Sequence, residues 1–169
     1  MVGSKQRIAA FVAVVGLVAA GCGDSEPATT DLPFEAPSGV NPSILEPLLA
    51  MGPCPSPPAA ADVELPEGLV LPDNAIVTDV TSTGETTTVQ GWIDWTPVQL
   101  RVHYQHREGR VTVLKSEDEV FEAEILADTA DGHRLFVKSQ AACESGSVLI
   151  AVVAPPEAAD QVPEPAGGS

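Results

Sequence analysis

Basic residues are scarce in this chain: eight Lys and Arg stand against 24 Asp and Glu, for a formal net charge of −16. Lys5 and Arg7 precede the first apolar run, so only six basic residues face the 24 acidic ones over the remainder. Phosphate backbones are bound by neutralising them with Lys and Arg, so this balance excludes nucleic acid as a partner. Anionic lipid headgroups are repelled for the same reason. The partners left open are proteins with basic patches, cations and neutral ligands; the acidity also serves solubility on its own. Long apolar runs are missing too. The longest uncharged apolar stretch, Ile8 to Ala20, has 13 residues, well short of the roughly 20 that a membrane-spanning helix needs. Cysteines number three. There is no CxxC, HExxH or EF-hand spacing, no GxSxG, P-loop or GxGxxG fingerprint, and no internal repeat. No catalytic residue, cofactor or metal set can be named from such a chain.

What the N-terminus does contain is ordered. Lys5 and Arg7 form a short positive region, the apolar run follows, and it closes on Val18-Ala19-Ala20-Gly21-Cys22. Small residues before a cleavage point let the backbone enter a peptidase site, and a short apolar run suits a signal peptide. The Val-Ala-Ala-Gly-Cys segment resembles the lipobox of bacterial lipoproteins, with Ala19 where Leu is usual. The resemblance implies cleavage after Gly21 and diacylglycerol on the Cys22 thiol. The chain would then be extracytoplasmic, held to the cell membrane through Cys22 and positioned to meet an envelope protein.

Lipidation of Cys22 leaves Cys54 and Cys143. An even remainder in an oxidising compartment favours a disulfide. No Lys, Arg or His lies within four residues of either Cys to make it a reactive thiol. The expected bond would tie a Pro-rich arm around Met51-Gly-Pro-Cys-Pro to the domain and bring the two Cα atoms within about 7 Å.

Composition divides the chain into a signal peptide (1–21), a Pro-rich tether from Cys22 (22–62), a small domain (63–155) and an acidic, Pro-rich tail (156–169) read as disordered. Within the tether, Ile44, Leu45, Leu48, Leu49 and Met51 can pack near Cys54, with Pro47 limiting any helical turn. The domain, about 90 residues, lies near the lower limit for holding a core unaided. Ala75–Thr81 and Thr86–Trp92 are β-branched and flank Thr83-Gly84-Glu85, a hairpin pattern. Thr96-Pro97 reads as an N-cap followed by Pro at the first helical position, with Gly109 as the stop. Val98, Leu100, Val102 and Tyr104 alternate and argue instead for a strand; the cap decides for a helix over 98–107. Strands are expected at 110–115, around 121–125, at 134–141 and at 147–153. Thr96-Pro97 with Leu100 and Tyr104, then Glu117-Asp-Glu and Phe121-Glu-Ala-Glu-Ile125, resembles small uncharacterised lipoproteins of high-GC Gram-positive bacteria. That resemblance implies a helix following a hairpin. The expected fold is α+β: a small antiparallel sheet of about five strands in ββαβββ order with one helix on one face.

Candidate sites follow from residue type. Trp92 and Trp95 fall on opposite faces of a continued strand. They are candidate ligand- or partner-binding residues, the alternative being that the helix covers one and the Pro-rich arm the other. His103 and His106 share a helix face and His133 adds a third imidazole, a zinc-like set or three solvated histidines. Glu117, Asp118, Glu119, Glu122 and Glu124 suit calcium or form a solvated face. The function expected is a non-enzymatic binding module of the envelope. The alternatives are a hydrolase with an unrecognised site and a metal-binding or sensing lipoprotein.

Overall fold

The computed structural model describes Ser43 and residues 46–107 and 109–167. Cys22, the segment before it, and Ile44 and Leu45 lie outside the described residues. The described chain runs α1 (Glu46–Leu49), β1 (Ile76–Thr83), β2 (Thr86–Ile93), α2 (Pro97–Gln105), β3 (Val111–Glu119), β4 (Glu122–Thr129), β5 (Arg134–Ala141) and β6 (Ser147–Ala154), then a 3₁₀ helix at Pro156–Gln161. The six strands form one antiparallel sheet in the order β1-β2-β6-β5-β4-β3. This is the expected class with six strands where about five were expected.

Period-two alternation gives the sheet two distinct faces. Val89, Ile125, Val137, Leu149, Ala151 and Val153 point to one face, where Leu100 and Tyr104 of α2 complete the core. Leu100 and Tyr104 are four apart, so both lie on one side of the helix. The alternation over 98–104 therefore came from a helix whose first turn is buried on two sides, at Pro97 and Val98. A capping box starts α2: the Gln99 N–H donates to Thr96 Oγ1 (3.4 Å) and the Thr96 N–H to Gln99 Oε1 (2.6 Å). Gly109, at φ 81°, turns the chain out of it. The Tyr104 hydroxyl donates to the Val70 carbonyl (2.6 Å), and Arg107 Nη1 donates to that of Leu71 (3.1 Å). These two bonds hold the Leu69-Val70-Leu71 segment over the edge of the core. Burial pushes the Tyr104 pKa far above the ordinary value for a phenol, against the opposing Arg107 charge, so the hydroxyl stays a neutral donor.

Both edge strands carry a bulge. The register slips between Val77 and Asp79 in β1 and between Val113 and Lys115 in β3. The second slip inverts the faces of β3. Before it Val113 lies opposite core-facing Ala127; after it Lys115 and Glu117 lie opposite Leu126 and Glu124, on the far side of the sheet.

Cys54 and Cys143 form a disulfide with Cα atoms 5.0 Å apart. The arm around it, part of the expected tether 22–62, is described from Glu46 on. Pro47 sits in the first turn of α1, where no N–H is required. Leu48 is buried, while Leu49 and Met51 are exposed. The Glu144 N–H donates to Gly52 O (3.0 Å), and the Ala61 N–H to Val77 O on edge strand β1 (2.8 Å). Gly146 lets the β5–β6 turn close on this bond: a Cβ there would stand 2.5 Å from Trp92 Cζ2, 2.8 Å from Cys143 Sγ and 3.1 Å from Cys54 Sγ.

The acidic tail is the main correction. Its composition suggested disorder, yet residues 156–167 cross the far face of the sheet as a strap. Ala158 and Val162 are buried with Leu126, Phe136 and Ala154. Lys115 Nζ then donates to Pro165 O (2.9 Å), and the Ala166 N–H to Glu124 Oε2 (2.8 Å). Two small apolar residues over a Phe and a Leu suffice, because the sheet supplies most of the buried area.

Two outcomes are expected. Cys54→Ala and Cys143→Ala each lower the unfolding free energy by about 2–5 kcal/mol and by matching amounts, the double variant adding little; denaturant titration checks this, as does the absence of free thiol in the denatured, unreduced protein. Ala158→Asp puts an unpaired charge under the strap and releases it, so limited proteolysis cuts after Pro155 while the rest of the sheet stays resistant.

Candidate functional site

The far face divides in two. The strap covers the part over Leu126 and Phe136 and leaves open the part nearer the disulfide. The open half can be read from the register. One row runs Trp92, Val148, Gln140, Glu122, Glu119 across β2, β6, β5, β4 and β3; the next runs Gln90, Ile150, Lys138, Glu124, Glu117. Its β6 end is apolar, with Val148 43% and Ile150 42% exposed. Its β3–β4 end is acidic. Glu117, Asp118, Glu119, Glu122 and Glu124, with Ala166 and Gly167 of the strap, line a cleft of about 270 Å³.

This crowding of carboxylates follows from the β3 bulge and the β3–β4 hairpin, which set Glu117 directly opposite Glu124 and Glu119 opposite Glu122. Like charges facing each other across strands are destabilising, and two lysines offset them. Lys138 Nζ donates to Glu122 Oε1 (2.7 Å) and Glu124 Oε1 (2.9 Å), and Lys115 Nζ stands 4.0 Å from Glu117 Oε1. Glu124 is only 7% exposed. Burial pushes its pKa up, but the Lys138 hydrogen bond, the Ala166 N–H and the Lys138 charge together outweigh burial and hold it below the ordinary 4.5. Lys138 is raised in return, first by its bond to Glu122 and then by that to Glu124. Asp118 faces the helix side instead, 3.3 Å from Arg101 Nε.

The tryptophans sit on opposite sides of the sheet, and neither is an open anchor. Trp92 is 7% exposed, closed over by the disulfide and the Gly146 turn. Trp95 is half-buried against the core, its ring 5.0 Å from that of His103 in α2. For the candidate binding residues Trp92 and Trp95, the groups found beside them are the disulfide and Gly146 for the first and His103 of the helix for the second.

The histidines do not converge. His103 lies between the Trp95 and Tyr104 rings, His106 is exposed on the last turn of α2, and His133 Nδ1 stands 3.3 Å from Asp131 Oδ1. Among the described residues no three His, Cys, Asp or Glu stand where they could hold a metal ion, the acidic cleft included. Burial, then the Arg107 charge, lower the His103 pKa below 6.5 against the pull of Asp73.

These shifts set an acid limb with two steps. His103 has a lowered folded pKa, so the unfolded chain takes up its proton first and stability declines as pH falls below 6.5. Glu124 is also lowered, so its contribution is complete above 4.5 and is lost as pH falls through the folded value. Lys138 is raised, and its contribution is lost on the alkaline side. Unfolding titrations from pH 3 to 8 are expected to lose the upper step in His103→Gln and to show a smaller lower step in Glu124→Gln, the remainder coming from Asp131, whose pKa is lowered first by its hydrogen bond from Thr129. The second variant also loses about 1–3 kcal/mol at neutral pH, because it replaces a charged acceptor for Lys138.

Compared with known proteins, the chain matches no family model, no curated protein and no solved structure. The functional reading therefore rests on the residues themselves: a disulfide-tied sheet with one open face, apolar at β6 and acidic at β3–β4.

Proposed function

We infer that the chain is an extracytoplasmic lipoprotein, held to the cell membrane by lipid on Cys22, and that its domain is a non-enzymatic binding module of the envelope. The observation that carries this reading is the ordered N-terminus: Lys5 and Arg7, the uncharged run from Ile8 to Ala20, and Cys22 directly after small residues. The Cys54–Cys143 bond supports it, since disulfides persist in oxidising compartments. No helix among the described residues is long and apolar enough to cross a membrane, so membrane association on this reading depends on the Cys22 lipid.

A binding role fits the cleft better than a hydrolytic one. A general acid at neutral pH needs a carboxyl whose pKa is raised. The most buried carboxylate of the cleft, Glu124, is shifted the other way and is engaged by Lys138 and by the strap.

Expressed in a bacterial host, the chain is expected to partition into the membrane fraction and to carry a diacylglycerol mass increment on an N-terminal Cys22 peptide. Cys22→Ala should lose both. Retention of Cys22→Ala in the membrane after a high-salt wash defeats the lipoprotein reading.

A further inference from the structure

The open half of the far face has a definite chemical layout. Val148 and Ile150 are exposed on β6, and Glu122, Glu124, Glu119 and Glu117 lie two and three strands away in the same two rows. At about 4.8 Å per strand, the distance from Ile150 to Glu117 is roughly 14 Å. An occupant must therefore be long enough to present an apolar group at one end of this span and a charged group at the other.

The charge identifies the occupant further. Four glutamates share this face with two lysines, and Glu119 has no ion-pair partner among the described residues. A second copy of the chain carries the same formal net charge of −16, and phosphate-bearing partners meet the same repulsion. A lone metal ion finds no three ligands at the required spacing among the described residues. Complementarity is left to a segment carrying Lys or Arg beside apolar residues.

The chain's own strap shows what this face accepts. It places small apolar side chains over Leu126 and Phe136, gives the Ala166 N–H to Glu124 and takes the Lys115 ammonium on Pro165 O. A segment made of a 3₁₀ turn and the residues after it is thus already held on one half by apolar packing and backbone hydrogen bonds, and its last residues form a wall of the cleft.

We propose that the open half of the far face docks a cationic amphipathic segment of a protein partner, with apolar side chains over Val148 and Ile150 and basic side chains in the glutamate cleft. The proposal rests on the binding-module reading and specifies the chemistry of the partner.

The test uses the full chain in phosphatidylcholine nanodiscs and three fluorescein-labelled ten-residue probes: alternating Leu and Lys, alternating Ser and Lys, and alternating Leu and Glu. Anisotropy is referenced to empty discs. The Leu/Lys probe is expected to bind, the Ser/Lys probe about tenfold more weakly, and the Leu/Glu probe not at all. Ile150→Ser, an exposed position, is expected to weaken the Leu/Lys probe about tenfold and Glu119→Gln about threefold. Glu85→Gln in the β1–β2 turn is expected to leave it unchanged. Added salt weakens binding to the parent chain more than to Glu119→Gln. The proposal is overturned if the Leu/Lys probe does not bind, if Ser/Lys binds equally well, if Ile150→Ser and Glu119→Gln have no effect, or if sedimentation shows a dimer that Ile150→Ser dissolves. Loss of the lipid on Cys22 with the titration intact defeats the anchor alone; a failed titration with the lipid in place defeats the docking surface alone.

Discussion

The sheet depends on the pairing of its last strand. β1 and β2 form one hairpin, β3, β4 and β5 form a meander, and β6 hydrogen-bonds to β2 on one side and β5 on the other. Without Ser147–Ala154 the two blocks share no ladder. With it, Leu149, Ala151 and Val153 join the core of one block to that of the other under α2, while Val148, Ile150 and Val152 continue the opposite face. The disulfide works beside this join: Cys143 lies in the turn that leads into β6, so the bond fixes the arm and the strand start together.

The far face shows how a small acidic domain concentrates charge without coming apart. Its glutamates are neighbours because a single bulge rotates the second half of β3. Lys138, one strand away, bridges two of them, and the strap adds a backbone donor to Glu124. Each device offsets part of the repulsion and leaves a net negative cleft. An unopposed cluster would strain the hairpin.

Local chemistry was legible in the sequence where a few adjacent residues decide the outcome. The Thr96-Pro97 cap outweighed the alternation of Val98, Leu100, Val102 and Tyr104, because a capping box and a Pro at the first helical position act on the backbone directly. The β1–β2 hairpin and the Cys54–Cys143 pair were legible for similar reasons, one from β-branched runs around a Gly turn, the other from cysteine parity. What depends on distant partners was not legible. Ala158 and Val162 are too sparse to suggest a packed segment, and the tail orders only because Leu126 and Phe136 wait beneath it. The run from Glu117 to Glu124 shows its charge in sequence but not its concavity, which needs the strap as a wall. Trp92 gave no sign that the β5–β6 turn would close over it, since that contact exists only once Gly146 and the disulfide are in place.

The two bulges have a consequence for how the molecule behaves in company. An open sheet ends in two strands whose outer N–H and C=O groups can template a ladder with another chain. Here each of those strands, β1 and β3, is the one that carries a register slip, and each is further marked: β1 by Asp79 and the Ala61 contact at its start, β3 by the Glu117-Asp118-Glu119 run at its end. A neighbouring strand that tried to zip along either edge would meet a kink within a few residues and then a carboxylate. Wherever copies of the chain are concentrated and edge-to-edge collisions are frequent, that interruption opposes their fusing into a common sheet.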